Sequence, residues 1–170
     1  MLASAGLETL DTLALSRRLG QVCVTRGVFV TAAESCTGGG VASAITAVAG
    51  SSAYFETGYV TYANAAKTRL LGVPEAVLET QGAVSRETVE AMVAGACADS
   101  GADLGVAISG VAGPGGGSAD KPVGTVWLAW GDATQQRAER YHFDGDRQAI
   151  RDQAVRMALE GLIRRLENRD

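Results

Sequence analysis

Val28-Phe29-Val30-Thr31-Ala32-Ala33-Glu34-Ser35-Cys36-Thr37-Gly38-Gly39-Gly40 is an apolar run that ends in a polar, glycine-rich turn. Val28-Phe29-Val30 reads as a short buried strand, and beyond the glycines residues 41–48 read as a helix. The stretch is a strand-to-helix turn with a hydroxyl, a thiol and a carboxylate at its apex. Upstream, Leu15, Leu19 and Val22 recur at helical spacing until Gly27 stops them. Downstream, residues 55–62 alternate aromatic and β-branched side chains as a strand does. Pro74 suits the first turn of a short helix. Ser85 suits the cap of a longer one running to about Asp99, with Val89, Met92, Val93 and Ala96 on its apolar face.

Residues 104–109 are the next expected strand, which ends in Gly110-Val111-Ala112-Gly113-Pro114-Gly115-Gly116-Gly117-Ser118, too rich in glycine for a regular element. Residues 125–130 and 137–143 read as two strands joined by a short turn at Gly131-Asp132, hence an antiparallel pair. The last helix starts near Asp146 and gathers Ile150, Ala154, Met157, Ala158 and Leu162 on one face. Helices that separate most strands, with one late hairpin, predict an α/β chain. Its expected form is a three-layer α/β/α sandwich on a mixed, mostly parallel sheet with a late antiparallel hairpin. No repeat or linker is evident, so residues 1–170 are expected to form one domain. Ligands of such sheets bind beyond the carboxyl ends of strands. Ser35, Lys67 and the loop after Ser109 each follow a strand, so parallel neighbours would bring them to one crevice.

Composition narrows the function classes. A chain of 170 residues, 46% hydrophobic and 20% charged, is large enough to bury a continuous core. A net charge of -4 provides no broad basic field for nucleic acid or anionic membranes. No apolar run approaches the roughly 18 to 20 residues of a spanning helix. Cys23, Cys36 and Cys97 are odd in number and lack metal-type spacing, which indicates free thiols in a reducing cytoplasm.

Proton acceptors are scarce. Of fifteen basic residues only Lys67 and Lys121 are lysine, and His142 is the single histidine. A desolvated lysine gives up its proton and acts as a base, whereas arginine stays charged. Ser35 caps the helix near Gly38 or acts as a nucleophile, and the same turn geometry serves both. Cys36 is a rival nucleophile or a buried small apolar group. Lys67, in Tyr62-Ala63-Asn64-Ala65-Ala66-Lys67, is a solvated surface lysine or, with its pKa lowered and Tyr62 sharing its proton, a base for Ser35. Residues 109–121 form a plain surface loop or a phosphate cradle with Lys121, and they match neither the Walker A nor the dinucleotide fingerprint. Arg147 and Arg151, one helical turn apart, fork onto a phosphate or pair with Asp144 and Asp146. His142, on an alternating strand, reads as structural.

Several motifs in order carry a resemblance. They are Ala33-Glu34-Ser35-Cys36-Thr37-Gly38-Gly39, Gly50-Ser51-Ser52, Val60-Thr61-Tyr62 with Asn64 and Lys67, and Gly82-Ala83-Val84-Ser85. Ser109-Gly110-Val111-Ala112-Gly113-Pro114, Lys121-Pro122-Val123-Gly124-Thr125-Val126 and Gly145-Asp146-Arg147 complete the set. Together they resemble the CinA C-terminal domain family, the nicotinamide mononucleotide deamidases, over nearly the whole chain. The resemblance implies hydrolysis of the carboxamide of nicotinamide mononucleotide to nicotinic acid mononucleotide and ammonia, in pyridine-nucleotide recycling. It also implies a mixed-sheet α/β/α fold, self-association, and the stand-alone form of a domain that often follows a molybdopterin-binding-like one. The family pattern has an acidic residue where this sequence has Gly115.

Joined to the residue chemistry, the resemblance predicts that Ser35 attacks the carboxamide carbon while Lys67, supported by Tyr62, takes its proton and passes it to departing ammonia. Thr37, Gly38 and Gly39 are expected at the oxyanion. Ser109, Gly110, Ala112, Gly113, Gly116, Lys121, Thr125 and Arg147 are expected to hold the rest of the substrate. Neither metal nor cofactor is required. The alternative is a non-catalytic nucleotide-binding or competence-related interaction module, which has no need of Ser35 or Lys67.

Overall fold

The structure, a computed structural model, describes residues 6–168. The expected domain of 1–170 includes residues 1–5 and 169–170, which lie outside the described residues. In chain order the main elements are α1 (Thr12–Arg26), β1 (Val30–Glu34), α2 (Gly40–Thr46), β2 (Phe55–Val60), α3 (Asn64–Leu71) and α4 (Glu75–Gln81). They continue with α5 (Arg86–Ser100), β3 (Leu104–Gly110), β4 (Thr125–Gly131), β5 (Gln136–His142) and α6 (Arg147–Glu167).

The helix ends follow side-chain chemistry. Asp11, Ser85 and Asp146 cap α1, α5 and α6 by accepting from the N–H of Ala14, Thr88 and Ala149. Gly27 closes α1 in the left-handed region at φ 64, and Val28 still donates to the Cys23 carbonyl at 3.1 Å. That bond moves the strand. Val28 belongs to the end of α1 and the Phe29 N–H goes to Asp103, so β1 starts at Val30 and runs on to Glu34 rather than occupying 28–30. Strand β2 ends at Val60, short of the expected Tyr62, because the carbonyls of Thr61 and Tyr62 turn to face Lys67. Helix α2 covers Gly40–Thr46 rather than 41–48, its last turn tightening toward Gly50 at φ 83.

The five strands lie in the order β2-β1-β3-β4-β5. Strand β1 is parallel to β2 and β3, and β4 is antiparallel to β3 and β5, so only β4 runs against the others. The mixed, mostly parallel sheet with its late hairpin is as expected, and helices cover both faces. On one face α1, α2 and α6 bury Leu15, Leu19, Ile45, Leu159 and Leu162 against Val106, Ile108, Leu128 and Trp130. On the other, α5 lays Val89, Met92 and Val93 against Ala33, Ala107 and Ala129. These small side chains let α5 lie close to the sheet. Gly95 of α5 lets α3 approach as well, since a Cβ there would fall 1.9 Å from the Leu71 carbonyl oxygen. The chain leaves β1 for α2 on one face and β2 for α3 on the other. That switch point opens a crevice at the strands' carboxyl ends, where Ser35 and Lys67 both arrive.

Candidate active site

The turn after β1 is accounted for bond by bond. The Ser35 N–H donates to the Ile108 carbonyl, the Gly38 N–H to the Ser35 carbonyl and the Gly40 N–H to the Thr37 carbonyl, each at 3.0 Å. Gly38 at φ 57 and Gly39 at φ 99 supply left-handed backbone that a side chain would strain. Arg151 reaches across from α6, its Nε donating to the Cys36 carbonyl at 3.1 Å and its Nη2 to the Thr37 carbonyl at 3.2 Å. All carbonyls from 35 to 37 are thereby held. Among the described residues, no backbone carbonyl takes the N–H of Cys36 or Thr37, and the Cys36 N–H also faces its own Sγ. The expected donor Gly38 is spent within the turn.

Glu34 secures the turn from below. It is 1% exposed, and its two carboxylate oxygens accept from the N–H groups of Val41 at 2.8 Å and Ala42 at 3.0 Å. A carboxamide offers one acceptor oxygen for these two donors. Glu34→Gln is therefore expected to lower the melting midpoint by about 2 to 12 °C, from about 1–3 kcal/mol for one unpaired buried N–H and roughly 2–4 °C per kcal/mol at this size. A calorimetric midpoint within about 1 °C of wild type would show that the grip contributes little.

Lys67 is 1% exposed and Ser35 8% exposed. The Lys67 Nζ lies 2.9 Å from Ser35 Oγ, 2.8 Å from the Thr61 carbonyl and 3.3 Å from the Tyr62 carbonyl. A neutral amine has two protons for the two carbonyls and one lone pair for the hydroxyl. Burial lowers the Lys67 pKa from its ordinary value of 10.5. The rival thiol goes the other way, since burial pushes Cys36 up to about 11 and keeps it protonated and inert at neutral pH.

A cavity of about 310 Å³ opens over Ser35, with Lys67 buried behind it. Ser35, Cys36, Tyr62 and Arg147 line it together with Gly110 at the end of β3 and Ala112, Gly113 and Gly116 of the loop after it, plus Val84, Val111 and Gly115. A Cβ at Gly115 would meet nothing within 4 Å, so this position opens onto free space at the rim. Arg147 donates to the Gly113 carbonyl at 2.7 Å and to Tyr62 Oη at 3.2 Å. Neither Arg147 nor Arg151 pairs with Asp144 or Asp146. Asp146 caps α6, and Asp144 lies 3.6 Å from His142.

Three expectations change. Tyr62 is 62% exposed and its phenol meets Arg147, so it is the Tyr62 carbonyl that meets the lysine, and the phenol is a cavity wall rather than a proton partner. Lys121 donates to the Gln81 carbonyl at 2.7 Å and faces a separate cavity with Arg86 and Arg140. Thr125 braces the loop by donating to the Pro122 carbonyl at 2.7 Å, and it does not line the cavity. Thr37 and Ser109 are buried beside the site, while Gly39 gives α2 its left-handed entry. Sequence reasoning gave Glu34 no structural task, and it gave Arg151 a phosphate or the carboxylates of Asp144 and Asp146 rather than the carbonyls of the Ser35 turn. A carboxylate ending a fully buried apolar strand was the available signal for Glu34.

The chain resembles known proteins over most of its length. Residues 12–166 match the CinA C-terminal domain. A protein of Pseudomonas putida, named nicotinamide-nucleotide amidohydrolase PncC, is 63% identical over 149 residues, 88% of this chain and 93% of its own. The same-named protein of Escherichia coli K12 is 51% identical over 153 residues, 89% of this chain and 93% of its own. Among solved structures, the competence damage-inducible protein A from Klebsiella pneumoniae superposes with a TM-score of 0.91 at 39% identity, covering 95% of this chain and all of that one.

Proposed function

This chain belongs to the CinA C-terminal domain family, and from that premise we propose that it hydrolyses the carboxamide of nicotinamide mononucleotide, with Ser35 as nucleophile and Lys67 as base. The observation that carries the mechanism is the buried lysine amine 2.9 Å from the Ser35 hydroxyl. Burying an amine costs several kcal/mol of lost hydration unless it is neutral or well paired. A module that only binds has no use for that arrangement.

Ser35 Oγ attacks the carboxamide carbon as Lys67 takes the hydroxyl proton, and the carbonyl oxygen becomes an oxyanion facing the N–H groups of Cys36 and Thr37. Lys67 then hands its proton to the amide nitrogen. The C–N bond breaks, ammonia leaves and a nicotinoyl ester remains on Ser35. Water, deprotonated by Lys67, attacks that ester; Ser35 Oγ recovers that proton from Lys67 as the ester C–O bond breaks, and the acid product gives its own carboxyl proton to solvent and leaves as the carboxylate. Arg147 at the cavity rim binds the phosphate, and the backbone of the loop after β3 meets the ribose.

The same reading carries self-association, a cytoplasmic location and a place in pyridine-nucleotide recycling. Three free, buried cysteines fit a reducing compartment. Among the described residues no helix is long and apolar enough to cross a membrane.

Timed ammonia release from nicotinamide mononucleotide by the purified chain tests the reaction, and no release above the uncatalysed rate would overturn it. The phosphate assignment is tested with nicotinamide riboside. Its kcat/KM is expected to be about 10- to 100-fold lower, as for the loss of one charged hydrogen-bonded contact. Arg147→Met should erase most of that difference. Equal kcat/KM for the two compounds in wild type would remove Arg147 from the phosphate role.

A further inference from the structure

We propose that Arg151, which does not line the cavity, is a positioning residue that sets the oxyanion donors of the Ser35 turn. The inference rests on the reading that Ser35 attacks the carboxamide. Its basis is peptide geometry. In a trans peptide the N–H points opposite to the C=O of the preceding residue, and the two share one plane. The Thr37 N–H therefore takes its direction from the Cys36 carbonyl, which Arg151 Nε holds at 3.1 Å. The Cys36 N–H takes its direction from the Ser35 carbonyl, which the Gly38 N–H holds at 3.0 Å. Each free donor sits in a plane whose other end is fastened, and Arg151 is the only side chain among the described residues that fastens one.

The turn needs that fastening. Two successive glycines in the left-handed region, Gly38 and Gly39, follow it directly, so the Thr37–Gly38 and Gly38–Gly39 peptides lie beside backbone that no Cβ restrains. Arg151 Nη2 would lie 3.2 Å from a Cβ at Gly38, so the guanidinium closes over the part of the turn with the least side-chain support. Arg151 spends both bonds on backbone carbonyls of this turn rather than on a carboxylate, which a stabilising surface arginine would usually meet. Its positive charge also lies behind the peptides that face the developing negative charge, where a fixed cation favours the transition state.

The test uses the full chain with nicotinamide mononucleotide and its thioamide analogue. Sulfur accepts hydrogen bonds poorly, so a well-set pair of N–H donors makes wild type favour the amide, and the amide-to-thioamide ratio of kcat reports the donors themselves. Arg151→Met is expected to lower kcat for the amide on the order of 10- to 100-fold, below the full loss of an oxyanion donor. KM should stay within about threefold, because ground-state binding is not at stake. The amide-to-thioamide ratio should fall, and millimolar guanidinium should restore part of the amide rate. Arg151→Lys, with a point charge in place of the fork, should also lower the ratio and gain nothing from guanidinium.

An unchanged ratio in Arg151→Met, whatever its kcat, would overturn the positioning role and leave Arg151 a brace for α6. If Arg151→Met does not fold, the ratio in Arg151→Lys decides in the same way. Ser35→Ala assayed alongside separates the two readings. An active Ser35→Ala sinks the proposed reaction itself, whereas a dead one with an unchanged ratio in the Arg151 variants sinks only this inference.

Discussion

Lys67→Arg is expected to bind nicotinamide mononucleotide and to hydrolyse it no faster than Lys67→Ala, a loss on the order of 10³ to 10⁶ in kcat. The substitution keeps the charge and most of the length, so a residue needed for charge alone would survive it. A proton acceptor would not, because guanidinium stays protonated throughout the working range. Three acceptors surround the amine, the Thr61 and Tyr62 carbonyls and Ser35 Oγ at 2.9 Å, and these contacts fit either protonation state, so it is burial that favours the neutral form. Lys67→Met, uncharged and of similar length, separates loss of the base from strain caused by a larger buried cation, and it should be equally inactive. Retention of a tenth or more of wild-type kcat by Lys67→Arg would exclude Lys67 as the base.

The direction of the pH profile follows from the same residue. Burial lowers the Lys67 pKa below 10.5, so the active neutral form is present from a lower pH than for an exposed lysine. Activity should rise with pH through the lowered pKa and be lost as pH falls below it. The limb in kcat/KM belongs to the free enzyme. A limb centred at or above 10.5 would contradict a desolvated amine.

The elements were legible where a local rule decides them. Gly27, Ser85 and Asp146 end or begin helices through bonds to residues within one turn, and the hairpin of β4 and β5 closes over a few residues. The convergence of Ser35 and Lys67 was legible as well, since both follow strands and β2, β1 and β3 are parallel neighbours. Side-chain direction beyond a strand end was not. Tyr62 and Lys67 stand five residues apart, yet whether the phenol or the carbonyl of Tyr62 meets the amine depends on how the chain turns out of β2. Arg147 and Arg151 pose the same difficulty. Helical spacing puts them on one face of α6, but the seating of α6 across the crevice sends Arg147 to the Gly113 carbonyl and Arg151 to the Ser35 turn. Lys121 misled because a lysine near a glycine-rich loop suggests a phosphate, whereas here the loop folds back so that the amine reaches Gln81.

Ser35→Ala should lose on the order of 10⁴ to 10⁶ in kcat while still binding substrate, since removal of a nucleophile spares the contacts that hold phosphate and ring. Cys36→Ser should remain within about tenfold of wild type. The two residues are neighbours and both line the cavity, so sequence proximity does not choose between them. The thiol is intrinsically the better nucleophile, but only as thiolate, and burial that pushes it up to about 11 leaves it protonated. The hydroxyl is the weaker nucleophile, but it has the amine, and a positioned base outweighs an unactivated thiol. Calorimetric titration of Ser35→Ala with nicotinamide mononucleotide should give an affinity close to the wild-type KM, provided that chemistry is slower than substrate dissociation. If Cys36→Ser is the dead variant and Ser35→Ala the active one, the nucleophile is the thiol. The 2.9 Å contact between Lys67 and Ser35 would then be a structural bond holding the turn.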